Sequence, residues 1–190
     1  MRVIKLGGSL MQGPWLRAWL GAVSRCPDAV IVPGGGMFAN AVREAQDFWE
    51  FSEDVAHRMA LLAMDQFGLM LAAMDERLVP VSNAAMIPGL VGIGHVPVWL
   101  PATELSGGHP EIHESWDFTS DSLSLWLAAT LAADELILVK SADPPGGNPG
   151  IQQLADGGIV DAAFPALLGR FPMAVRVLGP AQLPAPDAPL

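Results

Sequence analysis

The sequence predicts an α/β fold, a three-layer αβα sandwich around a mainly parallel open sheet, and three observations carry that prediction. Short apolar runs alternate with longer segments of helical periodicity, which is the chain order of βαβ units. The apolar runs lack the period-two alternation of a half-exposed strand, so both faces of the sheet are covered. Glycine clusters follow the first two runs, where parallel strands pass into their crossover helices.

Residues 2–6, Arg-Val-Ile-Lys-Leu, form a short strand ending at Gly7-Gly8-Ser9, after which Trp15, Leu16, Trp19, Leu20 and Val23 recur at helical spacing. Residues 29–32 are a fully apolar strand broken by Pro33-Gly34-Gly35-Gly36, and residues 38–46 resume a helical pattern. Ser52-Glu53-Asp54 is an N-terminal capping signal for the longest helix, residues 52–77, running through Met59, Leu61, Leu62, Met64, Leu69 and Leu71. Residues 78–81 and 96–100 read as short buried strands, with Pro88, Pro97 and Pro101 punctuating the connections. A helix over residues 119–133, capped by Thr119, Ser120 or Asp121, leads into a strand over 136–139. A final helix near 159–168 and a strand over 174–178 come next, giving about six strands in all and no internal repeat.

The chain of 190 residues, 51% apolar and 16% charged, suffices for one domain with a full core, placed at 1–179. The remainder, 180–190, is a Pro-rich tail that holds no regular structure on this reading. A net charge of -10 leaves no electrostatic footprint for a phosphodiester backbone, which argues against nucleic acid as a partner. Apolar runs are broken well before the roughly 20 residues of a membrane span, and residues 1–10 already read as strand and turn rather than a secretion signal. A cytoplasmic protein is expected. Cys26 is the single cysteine, which excludes an internal disulfide and reads as a small buried hydrophobe.

In open α/β sheets ligands bind at the carboxyl ends of the strands. Three loops qualify: Gly7-Gly8-Ser9, Gly34-Gly35-Gly36 and Lys140-Ser141-Ala142-Asp143. Glycine before a helix lets backbone N–H groups converge on an anion, so the first two loops suggest two phosphate sites. Neither is a Walker loop or a Gly-x-Gly-x-x-Gly dinucleotide loop. Of the 10 basic residues only Lys5 and Lys140 are lysines, in a chain that otherwise uses Arg, and both can reach the same rim. Asp121 is either a helix cap or a carboxylate that orients the lysines, with Thr119 and Ser120 donating to a substrate.

These segments resemble the amino acid kinase superfamily. The resemblance rests on residues 3–9 (Val-Ile-Lys-Leu-Gly-Gly-Ser), 32–36 (Val-Pro-Gly-Gly-Gly), 119–122 (Thr-Ser-Asp-Ser) and 138–143 (Leu-Val-Lys-Ser-Ala-Asp), in that order and spacing, and covers about residues 2–143. Residues 42–71 resemble one branch of the superfamily, the aminomethylfuran methyl phosphate kinases of methanofuran biosynthesis and their relatives in methylotrophic bacteria. The resemblance implies an amino acid kinase-like fold and phosphoryl transfer from ATP, with Mg²⁺ carried by the nucleotide and no metal ligands assigned to the protein. It implies catalytic roles for Lys5, Asp121 and Lys140, and a nucleotide site formed by Gly7, Gly8, Ser9, Lys140, Ser141 and Asp143. Gly34, Gly35, Gly36, Thr119 and Ser120 would hold a small phosphate monoester that becomes a diphosphate. For an aminomethylfuran acceptor, Asp47, Asp54 and Trp116 are candidates for the ammonium and the ring.

The chain departs from the superfamily in two places. The loop after the fifth strand reads Lys-Ser-Ala-Asp-Pro rather than Thr-Asp-x-Asp-Gly, and no lysine follows Lys140, where many relatives have one. Lys140 or an Arg in that role, or impaired catalysis, are the readings this leaves. Two alternatives therefore stand: a kinase of a small carboxylate or carbamate, and a non-catalytic nucleotide- or anion-binding protein. His109 and His113, with Glu111 and Glu114, read as a solvated or substrate-covering loop, not a metal site. His57 is open between a helix-face hydrogen bond and pocket lining. Trp15 and Trp19 read as packing residues, and the helix after Ser52 is apolar nearly all round, which predicts a homodimer through it.

Overall fold

In a computed structural model describing all residues except 148, 186, 187 and 189, six strands build one sheet. They are β1 (Arg2–Leu6), β2 (Ala29–Pro33), β3 (Leu78–Val81), β4 (Val96–Trp99), β5 (Glu135–Val139) and β6 (Ala174–Leu178), ordered β3-β4-β2-β1-β5-β6 with every pairing parallel. The helices are α1 (Leu16–Val23), α2 (Gly36–Trp49), α3 (Glu53–Ala72), α4 (Ile87–Gly92), α5 (Ala102–Leu105), α6 (Ser120–Thr130), α7 (Ile151–Asp156) and α8 (Phe164–Arg170). The chain leaves β1 for β2 on one side and later returns to β5 on the other. Such a reversal opens a crevice at the carboxyl end of β1.

Period-two geometry sorts the strand side chains into two cores. Val3, Val30, Val32, Leu136 and Leu138 face a cluster that includes Leu123, Leu127 and Phe164, while Ile4, Leu6, Ile31, Ile137 and Val139 face Leu16, Trp19, Leu20 and Phe67. Lys5 lies on the first face, the one α6 covers. α6 is buried from Ser120 to Ala128, as expected of a helix enclosed on nearly all sides. α3 serves both cores, with Leu61 and Met64 in the first and Phe67 and Leu71 in the second.

Several sequence expectations need correction. α3 ends at Ala72, not residue 77, because Asp75 and Arg77 form a turn whose carboxylate takes the Arg77 side chain and backbone N–H. The late helix begins at Phe164 rather than near residue 159, as α8, and a short helix that was not expected, α7, precedes it and ends at Gly157 and Gly158, the latter at φ 67°, a left-handed conformation glycine adopts without strain. α4 and α5 were read as breaks because of Pro88 and Pro101. Proline instead occupies the first turn of α4 and the N-cap of α5, positions whose N–H has no helical partner to lose. The tail is ordered over Pro180–Gln182 as a 3-10 turn, and Leu183 and Leu190 pack on the second core. The rest of that expectation falls partly on residues 186, 187 and 189, outside the described residues. No helix among the described residues is long and apolar enough to cross a membrane.

Candidate active site

Sheet register brings the three loops together. Leu6 pairs with Pro33 on one side and Val139 on the other, so Gly7, Gly34 and Lys140 are lateral neighbours just beyond the strand ends. The Gly7 N–H donates to the Val139 carbonyl and the Gly34 N–H to the Leu6 carbonyl, each at 2.9 Å, which extends the ladder into the loops. One residue back, Lys5 points toward α6, whose first turn presents Asp121.

The two lysines meet on that carboxylate. Lys5 Nζ lies 2.8 Å from Asp121 Oδ1, and Lys140 Nζ donates to both Asp121 oxygens at 2.8 Å. All three side chains are largely buried. Burial alone would push the Asp121 carboxyl up, but Lys5 and then Lys140 outweigh it and hold the group below its ordinary range. Burial, reinforced by the neighbouring Lys5, pulls the Lys140 ammonium down to about 8 against the opposing pull of Asp121. Two buried ammonium groups on one carboxylate leave a positive excess, and an incoming anion is the group that completes it.

Sequence reasoning missed Asp161. The N-cap residue Thr119 makes no side-chain bond to its own helix. Asp161 takes over instead: its Oδ2 accepts from the Thr119 N–H at 2.8 Å, the Thr119 hydroxyl at 3.0 Å and the Ser122 N–H at 3.0 Å, and its Oδ1 accepts from the Ser122 hydroxyl. Burial, and then the nearby Asp121 charge, push its carboxyl above the ordinary range. The Thr119 hydroxyl, expected to face a substrate, is thus committed to Asp161. Asp161 holds the turn that aims Asp121 at the lysines. Nothing local marked it, since it lies in a loop 39 residues after Ser122.

The glycines are needed where the loops touch. A side chain on Gly8 would overlap the Gly36 backbone, and one on Gly34 would overlap Gly8, so both loops can only close on each other without Cβ atoms. Gly36 also adopts φ 54°. Ser9 and Ser141 share a hydroxyl hydrogen bond of 2.8 Å across the rim.

Two cavities open in the fold, one involving the first glycine loop and the start of α6, the other near β6. On the β2 side, a cavity of about 260 Å³ is lined by Gly8, Ser9, Gly35, Gly36, Ser120 and Thr119 at its polar end, and by Leu61, Met64, Phe118 and Trp116 along its walls. Arg43 and His57 also line it, and Arg43 is the one charged side chain among them. The Arg43 guanidinium lies 3.6 Å over the Trp116 ring, whose indole N–H donates to Gln46 Oε1 at 2.7 Å. On the β6 side, a cavity of about 510 Å³ is lined by Pro144, Pro145, Gly146, Gly147, Val177 and Gln182, among others.

Two expected site residues stand elsewhere. Asp54 occupies the exposed first turn of α3, 3.9 Å from Arg58, and does not line the β2-side cavity; nor does Asp47. The β2-side cavity therefore has no carboxylate among its lining residues. Asp143 accepts at Oδ1 from the Ala181 N–H at 2.8 Å, which ties the loop after β5 to the C-terminal segment. The residues read as a solvated loop are pinned: Glu111 accepts from the Trp126 indole, Glu114 takes Arg58 at 2.8 Å, and His113 bonds the Ser115 hydroxyl at 2.9 Å. His57 lines the cavity.

Comparison with known proteins identifies the family and the fold. The model of the Amino acid kinase family matches residues 1–144. A protein of Methanocaldococcus jannaschii named [5-(aminomethyl)furan-3-yl]methyl phosphate kinase is 30% identical, over 94% of this chain and 87% of its own. The fold is similar to that of UMP kinase from Ureaplasma parvum, with a TM-score of 0.71 at 16% identity over 96% of this chain and 90% of that one. It is likewise similar to uridylate kinase from Archaeoglobus fulgidus, at 0.67 and 16% identity over 98% and 92%.

Proposed function

The chain belongs to the amino acid kinase family, an ATP-dependent kinase by that membership, and we propose that its acceptor is a small phosphate monoester, [5-(aminomethyl)furan-3-yl]methyl phosphate or a near relative, converted to the diphosphate. The observation that carries the phosphoryl-transfer reading is the Lys5–Asp121–Lys140 cluster, two ammonium groups fixed 2.8 Å from one buried carboxylate at the glycine rim. The β2-side cavity supports the acceptor class. At about 260 Å³ it is smaller than the ~300 Å³ at which drug-sized pockets begin, and one Arg with aromatic walls suits a small anion bearing a ring.

Transfer between phosphates asks little covalent chemistry of a protein and much positioning and charge compensation. In this reading Lys5 and Lys140 compensate the equatorial oxygens of the transferring group, Asp121 keeps both ammonium groups aimed, and the two glycine loops offer backbone N–H groups. A phosphate acceptor is largely ionised at neutral pH and needs no general base. In this reading the β6-side cavity, at about 510 Å³, takes the nucleotide's base. Magnesium carried by the nucleotide would neutralise its phosphates. A nucleotide-dependent reaction of this kind belongs in the cytoplasm.

The test is ADP release from Mg·ATP with the aminomethylfuran phosphate, set against N-acetylglutamate and carbamate. Turnover is expected with the phosphate ester, yielding a diphosphate by ³¹P NMR, and Lys5→Ala should lower kcat by about 10²–10³. ADP release with a carboxylate or carbamate but with no phosphate monoester would overturn the acceptor assignment.

A further inference from the structure

His57 is a buried imidazole at 4% exposure, carried by α3 into the lining of the acceptor cavity. Its two ring nitrogens are in different situations. Nδ1 lies 3.3 Å from the Ser115 carbonyl, while Nε2 has no hydrogen-bond partner. A carbonyl oxygen can only accept, so the Nδ1 of this pair carries the proton and Nε2 presents a lone pair. Burial holds the imidazole below its ordinary pKa, which keeps it neutral at pH 7.

A lone pair held this way cannot face phosphate oxygens, which are acceptors themselves. The phosphate end of an acceptor belongs with the glycine backbone and Arg43, which leaves its other end for His57. Asp47 and Asp54 do not line the cavity, so no carboxylate competes for that end. We propose that Nε2 of His57 accepts a hydrogen bond from an N–H or O–H on the non-phosphate end of the acceptor, so that the enzyme selects phosphate esters carrying a donor over those carrying an alkyl group there. An amine or a hydroxyl fits; a methyl group leaves the nitrogen unpaired, and sites built around a buried hydrogen bond discriminate strongly against analogues that lack it. The assignment rests on the phosphate-ester reading above and specifies the chemistry of the acceptor's far end.

Three furan-3-ylmethyl phosphates test it, identical except for an aminomethyl, hydroxymethyl or methyl group at position 5. They are compared on the wild type, His57→Phe and His57→Gln, by kcat/KM for ADP release and separately by calorimetric Kd without nucleotide. The wild type should favour the two donor-bearing compounds by at least about tenfold over the methyl compound. His57→Phe should bring the three to within about threefold by loss on the donor-bearing pair, and the side-chain oxygen of His57→Gln should restore part of the preference. A preference that persists in His57→Phe overturns the assignment, as does equal use of all three by the wild type, which would leave the kinase reading standing. A His57-dependent binding preference with no ADP release supports the assignment while removing the phosphate-acceptor reading; binding of none of the three overturns both. Independently of any ligand, ¹⁵N NMR should show a pyridine-type Nε2, and a protonated Nε2 in the free neutral imidazole would overturn the assignment whether or not the variants fold.

Discussion

Lys140 is held by both oxygens of Asp121, yet burial and the adjacent Lys5 bring its ammonium down to about 8. The free enzyme therefore loses a positive charge from the site as pH rises through that value, and kcat/KM for the nucleotide should fall along a basic limb near pH 8. Stability runs the other way. Between about 8 and 10.5 the unfolded chain holds a proton on this lysine that the folded chain has lost, so this group's contribution to stability rises with pH across that window. Lys140→Arg, with a cation that does not titrate, should remove the basic limb while lowering the rate through altered geometry. A limb unchanged in that variant would show that another group titrates. Lys5, Lys140 and Asp121 were readable in the sequence because lysine is scarce here and both lysines sit at predicted strand ends. His57 Nε2 was not, since its tautomer depends on a carbonyl 58 residues away. That Asp54 stands outside the β2-side cavity was likewise not legible, because the cavity is closed by residues from several elements distant in the chain.

At the scale of elements, the start of α6 joins the fold to the site. Its first turn carries Asp121, and the donors at its N-terminus are satisfied by Asp161 from a loop before α8, not by Thr119. The sequence signalled a helix start at Thr119-Ser120-Asp121 but not its distant cap, because a cap supplied through tertiary contact leaves no local spacing to detect. Asp161→Asn offers one acceptor oxygen where two now take four donors. The expected loss is about 2–4 kcal/mol of stability, from donors left unpaired. kcat should fall more than the nucleotide KM rises, since Asp121 loses its aim while the glycine loops keep theirs. A variant that loses stability with unchanged kcat would make Asp161 a cap alone. The same dependence on context explains α4 and α5: proline marks a break when read locally but fits a first turn once the chain direction is known.

For the whole molecule, buried strands without alternation were enough to predict a parallel sheet between helices, but not its order. The order β3-β4-β2-β1-β5-β6 depends on which crossover packs where, and it is this order that sets β1 at the centre of the sheet, between β2 and β5. α3 then has two jobs on opposite faces. One face lines the β2-side cavity with His57, Ala60, Leu61 and Met64, while Val55, Leu62 and Leu69, seven residues apart, are 41%, 55% and 52% exposed. A seven-residue spacing drifts only about 20° per step, so the three form one apolar stripe along the helix. Phe48 and Trp49, nearly three-quarters exposed and packed edge-to-face, lie at the end of α2, just before α3 begins. Scattered exposed apolar residues need no explanation, but a continuous stripe is the anatomy of an interface. We propose a twofold homodimer in which α3 packs on α3 of a second copy, a self-complementary arrangement closed by one axis. Light scattering after size exclusion should give twice the 20.0 kDa chain mass, and Leu62→Glu should yield a monomer with its fold intact by circular dichroism. A monomeric wild type at tens of micromolar would refute the dimer. If the variant is monomeric, its acceptor KM should rise more than its nucleotide KM, because α3 lines the acceptor cavity and loses the neighbour that steadies its outer face.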